Sequence, residues 1–413
     1  MKNESWLAKL DQTECPDSTY TKAKPPLVFS SAEGSQIWDV EGQAYIDLCA
    51  GFGVMALGHN SPEIQELFRA QLESPRAPMV HGMGDVYPSE AKIMFIQELL
   101  ALMPVHLKRA ALSLTGSQAV EIALKTCLLY KPQGDFICFQ GSYHGLDLGV
   151  LPLTSRRDFK DPFGSWLPQG RVVELPYHCE RHEIEKAIAG MPHGLAGIFV
   201  EPIQGRAGIR PSDPSWLPML RDVCDQEDGL LVFDEVFTGM GRIGTLTSSF
   251  EVHADLICLG KALGGGFPLS ACIGTEEAFQ RWPQSSGEAI HTGTFFGHPL
   301  SCRMGVSVLR RMSEDRLWER SKSLGKEAVD YLSSQLANQE AVKAVRGTGL
   351  MLGIEFEKAG EGAALMNELR AKGVIALASG EHGESLSMTP ALTIKKDLLW
   401  EAFDRIIAHI QDR

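Results

Sequence analysis

The sequence predicts an α/β protein in which a mostly parallel central sheet is covered by helices, with a smaller α+β domain built from both chain ends. Between about residues 61 and 300, short stretches that are apolar throughout alternate with helical stretches, as in sheets buried on both faces. At 413 residues the chain is too long for one simple core. We expect a large domain at 61–300 and a small domain formed jointly by 1–60 and 301–413, because neither end is large enough to fold alone.

The elements follow in order along the chain. Residues 26–60 predict short strands with turns, including a hairpin-like reversal at Glu41 and Gly42. Helices are predicted at 62–72, 89–103 and 117–130, and strands at 109–114, 135–140, 195–202, 230–236, 255–260 and 270–275. A long amphipathic helix is expected after Pro299, then a strand region at 345–357 and a closing helix at 396–413.

Composition excludes several classes of function. Lysine and arginine number 39 against 52 acidic residues, so the net charge of −13 disfavours nucleic acid and anionic membranes as partners. No long apolar run or signal peptide is recognisable, which favours a cytoplasmic protein. The nine cysteines lack C-x-x-C spacing and the twelve histidines lack an H-E-x-x-H pair, so we expect reduced thiols and no metal site.

Lys261 is the first candidate for a catalytic residue. It ends the apolar run of DLICLGKALGGGFPLSA and is followed directly by small residues. An amine packed there against the backbone loses water, which lowers its pKa and makes it nucleophilic toward an aldehyde. An ordinary lysine at the start of a helix is the alternative.

LSLTGSQAVEIALK predicts an anion-binding turn between a strand and a helix. Thr115 and Gln118 fit a T-x-x-Q capping box, and Gly116 allows a close backbone approach. The amides of Gly116, Ser117 and Gln118 would then point outward at a positive helix end, which binds phosphate without a lysine. A plain capped turn remains the alternative, and no Walker-type GxxxxGK is present.

Two more segments end predicted strands. Tyr143 and His144 lie on a glycine-flanked turn, where ligands of open α/β sheets bind and where an aromatic ring can stack on a flat heterocycle. Asp234 ends an apolar strand, so its carboxylate needs a cationic partner such as a protonated pyridine nitrogen. Val236 points to the same side. The alternatives are a surface tyrosine and a Mg²⁺-binding acid.

An amine, a phosphate turn, a stacking ring and a buried acid together are the parts of a pyridoxal 5'-phosphate (PLP) site. Six motifs support that interpretation because they occur in a characteristic order: GSQAVEIALK, GSYHG, EPIQG, DEVFTGMGR, LGKALGGGFPLSA and HTGTFFGHP. In these motifs the chain resembles the class III aminotransferases, PLP enzymes of fold type I. The resemblance runs from near residue 38 to near residue 345.

The resemblance implies a role for each matching residue. Lys261 would be the Schiff-base lysine and proton carrier, and Asp234 would pair with the pyridinium nitrogen. Gly116 and Ser117 would hold the phosphate, and Tyr143 would stack on the ring.

Further residues receive roles from the same resemblance. Val236 would pack on the other ring face, while Glu201 and Gln204 would line the site near the phenolic oxygen. Thr294 would reach the phosphate of a neighbouring subunit, so a homodimer with active sites at the subunit interface is implied. Arg242 would support its own loop.

The sequence departs from the family where substrates bind. Many members carry an arginine before a P-P-L near the C-terminus, which clamps the substrate carboxylate, but ESLSMTPALTI has Ser387 and Ala391 there. The family often reads EPIQGEGG, whereas this chain has Arg206 in EPIQGRAG. We hypothesise that the carboxylate-binding charge has moved to Arg206. The alternative is a solvated Arg206 and a substrate without a carboxylate at that end.

Two phenylalanines predict a roomy, apolar pocket. Phe237 replaces a glutamine that reaches the ring hydroxyl in many members, and Phe52 matches a position that lines the substrate pocket. The expected enzyme is an aminotransferase that acts on an ω-amino acid, a primary amine or an amino sugar with a 2-oxo acid, by ping-pong kinetics.

Other functions on the same fold remain open alternatives. An aminomutase, a racemase or epimerase, or a decarboxylase would use the same residues. A non-catalytic relative is disfavoured by the intact Lys261 and Asp234. A dehydrogenase is disfavoured because no GxGxxG follows the first strand of a βαβ unit.

Overall fold

The computed structural model describes residues 2–15, 18, 26–74, 76 and 86–413. The first part of the chain contains α1 (Asn3–Thr13), β1 (Phe29–Glu33), β2 (Gln36–Asp39), β3 (Ala44–Asp47) and the single turn α2 (Ala50–Gly53). The expected reversal joins β2 to β3, where Gly42 has a φ of +84°. It is held by the Asp39 carboxylate, which accepts the amide of Gln43 at 2.9 Å.

The middle of the chain alternates helices with buried strands. In order these are α3 (Pro62–Glu73), α4 (Glu90–Ala101), β4 (Leu107–Ser113), α5 (Gly116–Tyr130), β5 (Asp135–Phe139), α6 (Arg157–Lys160), β6 (Val172–Leu175), α7 (Arg181–Ala189), β7 (Leu195–Val200), β8 (Ile203–Gln204), β9 (Arg210–Pro211), α8 (Trp216–Gln226), β10 (Leu230–Asp234), β11 (Leu256–Leu259), β12 (Ser270–Thr275) and α9 (Glu276–Phe279). Short 3₁₀ turns lie at Leu151–Leu153, Asp161–Phe163, Ser248–Phe250 and Lys261–Gly264.

Seven of these strands form the central sheet, in the order β4-β12-β11-β10-β7-β5-β6. Only β12 runs against its neighbours, so the sheet is mostly parallel, as predicted. Its central strands are buried at every residue. Phe136 and Cys138 of β5 pack in the same cluster as α5, while Ile137 and Phe139 belong to the cluster on the opposite face. Cover on both faces explains why these strands are apolar throughout.

The last part of the chain contains α10 (Pro299–Glu314), α11 (Leu317–Leu336), β13 (Val342–Thr348), β14 (Met351–Phe356), α12 (Glu361–Ala371), β15 (Val374–Ile375), β16 (Leu377–Ser379), β17 (Ser385–Met388) and α13 (Lys396–Gln411). The long helix expected after Pro299 is therefore two helices. They meet at Arg316, whose φ of +48° ends the right-handed path. The predicted strand region at 345–357 is an antiparallel pair, with Gly349 at the turn.

Among the described residues, two four-stranded sheets and the two-stranded sheet β8-β9 accompany the central one. The sheet β1-β2-β3-β15 brings the two ends of the chain together, since Val374 of β15 pairs with Ile46 of β3. The other four-stranded sheet has the order β13-β14-β17-β16. Among the described residues, no helix is long and apolar enough to cross a lipid bilayer.

Candidate active site

Five of the predicted site segments follow the carboxyl ends of central strands. Gly116 follows β4, Tyr143 follows β5, Glu201 follows β7, Asp234 closes β10, and Lys261 lies two residues after β11. Because β4 and β11 both run against β12, all five strands point the same way. Their carboxyl ends therefore lie along one edge of the sheet, which is where open α/β sheets bind ligands.

The amine of Lys261 is held in an apolar place. Its backbone has a φ of +41°, in the left-handed region that costs a non-glycine residue about 1–2 kcal/mol. Nζ lies 4.4 Å from the ring centre of Phe237. Burial lowers the pKa of Lys261, although the nearby charges of Asp234 and Glu201 act in the opposite direction. The result is the desolvated amine that the sequence predicts.

The carboxylate of Asp234 is buried and oriented by two donors. Its Oδ2 lies 2.8 Å from Nδ1 of His144, and its Oδ1 accepts the amide of Val236 at 3.1 Å. The His144 ring is itself buried, and within the described part of the chain its Nε2 has no hydrogen-bond partner. His144, predicted among the cofactor contacts, therefore lies against Asp234.

The predicted capped turn before α5 forms as expected except for one hydrogen bond. The Thr115 hydroxyl accepts the amide of Gln118 at 3.2 Å, which is half of a capping box. The Gln118 side chain, however, accepts the amide of Leu114 at 3.1 Å, one residue before the predicted partner. Gly116 and Ser117 lie in the first turn of α5, so their amides have no carbonyl one turn earlier and can serve an anion.

Glycines let the neighbouring turns pack closely. A Cβ on Gly116 would lie 2.5 Å from a methyl group of Val236, and one on Gly260 would lie 3.2 Å from the same group. Val236 is therefore held between two glycines. The Ser117 hydroxyl accepts the amide of Asp147 at 3.2 Å, which joins the turn after β4 to the turn after β5.

Glu201 connects two loops through hydrogen bonds. Its carboxylate accepts the amide of Tyr143 at 2.9 Å and the amide of Gly205 at 3.1 Å. Burial raises the pKa of Glu201 to about 7. The Gln204 amide nitrogen donates to the carbonyl of Gln140 at 2.8 Å. The two residues thus fix the backbone of the Tyr143 turn and of the loop that follows Gln204.

Arg206 lies between two aromatic rings. Its guanidinium carbon is 5.4 Å from the ring centre of Tyr143 and 5.8 Å from that of Phe52. Phe52 belongs to α2, whose four residues all have positive φ, from +49° to +80°. Burial lowers the pKa of Arg206. No hydrogen bond or ion pair to its guanidinium is found in the described ranges, so the charge is available to a ligand.

These residues fit PLP by their chemistry. The amides of Gly116 and Ser117 suit a phosphate, Tyr143 offers a ring face, and Asp234 offers a fixed carboxylate to a ring nitrogen. The amine of Lys261 is desolvated at the same edge of the sheet. The phosphate, the ring face, the ring nitrogen and the aldehyde of the cofactor therefore each have a residue of suitable chemistry in this chain.

Comparison with known proteins agrees with this arrangement. The profile of the aminotransferase class-III family matches residues 19–410. The chain is a class III aminotransferase. An acetylornithine aminotransferase from Methanopyrus kandleri is 34% identical over 338 residues, 81% of this chain and 82% of that protein. A 5-aminovalerate aminotransferase from Pseudomonas aeruginosa is 32% identical over 394 residues, 89% and 90% of the two chains.

A solved structure supports both the fold and the cofactor. The ornithine aminotransferase from Toxoplasma gondii, described with partial occupancy of PLP at its active site, superposes with a TM-score of 0.87 at 25% identity. The match covers 100% of this chain and 95% of that one. This aminotransferase accordingly has PLP fold type I and depends on PLP, as the motifs predicted.

Phe237, another predicted substrate residue of this aminotransferase, lies beside the Lys261 amine. The Phe237 ring packs on Gly53 and Gly205, where an added Cβ would come within 3.2 Å and 2.3 Å of the ring. Ser387 is buried and its hydroxyl is hydrogen-bonded to that of Ser379. The position at which many family members carry an arginine is therefore occupied here by a buried, uncharged serine of β17.

Arg242 supports its loop, as expected. It is buried, and its Nη1 donates to the carbonyl of Leu350 at 2.9 Å and to that of Pro390 at 2.5 Å. Burial lowers the pKa of Arg242 to about 9. Thr294, by contrast, is exposed on the loop before α10.

Glu235, which the sequence analysis did not single out, anchors the loop after Asp234. It is buried and accepts the Ser248 amide at 2.9 Å and the Thr238 hydroxyl at 3.3 Å, together with a short hydrogen bond from Thr247. Burial raises the pKa of Glu235 to about 7, well above its ordinary value of 4.5. At pH values between 4.5 and about 7, Glu235 is largely protonated in the folded protein but largely ionised in the unfolded chain. Its contribution to the free energy of unfolding therefore falls as pH rises through this range.

A Glu235→Gln variant should remove this part of the pH dependence, because glutamine stays neutral while keeping a carbonyl acceptor. The melting temperatures of the variant and the wild type are measured at about pH 5 and about pH 8. The difference between them, variant minus wild type, should be larger at the higher pH. Glu340→Gln, which changes an exposed acid, is the matched control. If the melting temperatures of Glu235→Gln and the wild type change equally with pH, the pKa of Glu235 is not raised in the folded protein.

Proposed function

We propose that this aminotransferase moves an amino group from an ω-amino acid, a primary amine or an amino sugar to a 2-oxo acid. The observation that carries the proposal is the placement of the Lys261 amine at the same sheet edge as the Asp234 carboxylate and the amides of Gly116 and Ser117. A base, an anchor for a cationic ring and a phosphate turn are the parts that amino transfer needs.

Each part does separate work. When bound, PLP supplies the aldehyde that takes up the amino group and the ring that withdraws electrons. Lys261 Nζ, with its pKa lowered by burial, takes a proton from the substrate carbon and returns it. His144 and the Val236 amide hold the Asp234 carboxylate in one orientation toward the ring nitrogen. Tyr143 and Val236 would hold the ring between them.

The two substrates use one pocket in turn. Because both substrates react at the one site that contains Lys261, the carbonyl product of the donor must leave before the acceptor binds, which gives ping-pong kinetics. An aminomutase, a racemase or epimerase, or a decarboxylase would need the same residues, but both relatives described above are named as aminotransferases.

Arg206 is the proposed recognition residue for a substrate carboxylate. Its guanidinium is flanked by the rings of Phe52 and Tyr143, and Ser387 supplies no competing charge. A relative is named for 5-aminovalerate, whose amine and carboxylate are at opposite ends of the molecule. Such a substrate would place its amine at Lys261 and its carboxylate at Arg206. The Phe52 and Phe237 rings leave the space between them apolar.

We further propose a cytoplasmic homodimer with active sites at the subunit interface. The exposed position of Thr294 is compatible with contact to the phosphate of a neighbouring subunit. We also propose that residues 61–300 form the PLP-binding domain, and that 1–60 and 301–413 share the smaller one. The pairing of β15 with β3 supports that grouping.

The function is tested by the absorbance of the purified protein during additions of single amines and amino acids. We expect a yellow band that certain donors bleach and that a 2-oxo acid restores. That result also names the donor class. A yellow band that no donor bleaches would contradict amino transfer and favour the mutase, racemase or decarboxylase alternatives.

Replacement of Arg206 by glutamine should weaken the binding of every substrate that carries a carboxylate. Losing a charge-assisted hydrogen bond should cost about 1.5–3 kcal/mol in kcat/KM, seen mainly as a raised KM for 2-oxo acids in steady-state assays. Arg210→Gln is the matched control, because Arg210 also lies over an aromatic ring, that of Tyr177. An unchanged KM for 2-oxo acids in Arg206→Gln would mean that the carboxylate is bound elsewhere.

A further inference from the structure

The turn α2, which carries Phe52, has an unusual backbone. Its four residues, Ala50–Gly53, all have positive φ, and two of them, Ala50 at +49° and Phe52 at +59°, are not glycine. The left-handed region is unfavourable for such residues because their Cβ atom comes too close to the following carbonyl oxygen. A backbone of this kind persists only where neighbouring groups hold it, and it is common at functional sites. The groups that hold α2 therefore also determine where Phe52 lies.

Asp47 holds the start of this turn. It closes β3 and is buried, and its Oδ1 accepts the amide of Cys49 at 2.8 Å and that of Ala50 at 2.9 Å. Its Oδ2 lies 2.8 Å from Nε2 of His59. The Cys49 sulfur in turn accepts the amide of Phe52 at 3.2 Å. A series of hydrogen bonds therefore connects one buried carboxylate to the backbone of Phe52.

The strand that ends at Asp47 gives this carboxylate a fixed position. Asp47 pairs with Ile375 of β15, and its own amide donates to the carbonyl of Ser35 at 2.8 Å. On the other side, the hydroxyl of Thr389, the residue after β17, donates to the carbonyl of Cys49 at 3.1 Å. The segment that leads into α2 is therefore attached to both four-stranded sheets.

The turn contacts two residues of the predicted substrate pocket. The ring centre of Phe52 lies 5.8 Å from the guanidinium carbon of Arg206, within the range of a cation–π contact. A Cβ on Gly53 would lie 3.2 Å from the ring of Phe237, and that ring centre is 4.4 Å from Nζ of Lys261. A change of φ within the turn redirects the chain that follows it. A relaxed turn would therefore displace both contacts.

We propose that Asp47 is a positioning residue for the recognition of a substrate carboxylate. It keeps α2 left-handed, and α2 holds the Phe52 ring beside the Arg206 guanidinium. Without the Asp47 carboxylate the unfavourable backbone relaxes, and Arg206 loses one of its two flanking rings. This inference rests on the proposed role of Arg206 and adds the buried acid that acts on it through Phe52.

The test measures one half of the reaction. Enzyme loaded with pyridoxamine 5'-phosphate is mixed with pyruvate or with 2-oxoglutarate, and conversion of the cofactor is followed by absorbance. Asp47→Ala should raise the 2-oxo acid concentration that gives half the limiting rate by about three- to tenfold, because a flanking ring moves away from Arg206. The limiting rate should change less than about twofold, since Lys261 and Asp234 are untouched.

A double variant shows whether Asp47 acts through Phe52. Phe52→Ala alone should raise the same half-saturating concentration by a similar factor. Adding Asp47→Ala to Phe52→Ala should raise it further by less than about twofold, because the ring that Asp47 positions is already absent. If the two effects multiply, Asp47 does not act through Phe52 and the inference is overturned.

Asp39→Ala is the matched control. Asp39 is a buried acid of the same sheet, and its Oδ1 also accepts two backbone amides, those of Glu41 and Gln43. Asp39→Ala should lower the melting temperature, as Asp47→Ala does, but leave the half-saturating concentration unchanged. If it raises that concentration equally, the effect belongs to the stability of the sheet and the inference is overturned. Asp47→Asn keeps a carbonyl acceptor for both amides and should retain most of the wild-type value.

The outcomes separate this inference from the proposed function. If the loaded wild type converts neither 2-oxo acid, amino transfer fails and the inference fails with it. If Arg206→Gln raises the half-saturating concentration but Asp47→Ala does not, only the role of Asp47 is wrong. If Asp47→Ala does not fold, Cys49→Ala takes its place, because it removes the sulfur that accepts the Phe52 amide. An unchanged half-saturating concentration in Cys49→Ala would then overturn the inference.

Discussion

Asp234 closes a strand whose five residues are all buried, and the free-energy cost of an ionised carboxylate in such a place constrains everything around it. His144 and the Val236 amide each form a hydrogen bond to one oxygen of the carboxylate, and these bonds offset part of that cost. Lys261 lies at the same edge of the sheet. In the proposed function the oriented carboxylate would be the fixed negative partner of a cationic ring, on which the electron-withdrawing chemistry of PLP depends.

The same edge explains the rest of the site. Turns that follow parallel strands converge, so residues distant in sequence become neighbours. The glycines at 116 and 260 let Val236 sit between two backbone turns, and Glu201 joins the Tyr143 turn to the loop that carries Arg206. The proposed contacts to cofactor and to substrate are therefore connected through the hydrogen bonds of one buried acid.

Much of this could be predicted from the sequence because the signals are local. An apolar run that ends in a lysine or an aspartate marks both a buried strand and a polar group at its end. For that reason Lys261 and Asp234 stood out, and the alternation of strands and helices predicted the mostly parallel sheet. The anion-binding turn was also visible, although Gln118 caps Leu114 in place of the predicted amide.

Other features could not be predicted because they depend on contacts across the chain. His144 and Asp234 are 90 residues apart, and nothing in either segment identifies them as partners. The break at Arg316 lies inside a continuous amphipathic pattern and carries no glycine or proline. Arg156 belongs to a charged stretch typical of solvated surface, and only the structure shows that its guanidinium lies over the Phe159 ring, 4.5 Å from the ring centre.

The central claim is that Lys261 holds the cofactor, and peptide mapping tests it most directly. Protein purified with PLP is treated with borohydride to make the attachment permanent, digested, and examined by mass spectrometry. We predict the cofactor mass on the peptide that contains Lys261 and on no other lysine. Label on a different lysine, or no label in protein that is yellow before treatment, would contradict the account.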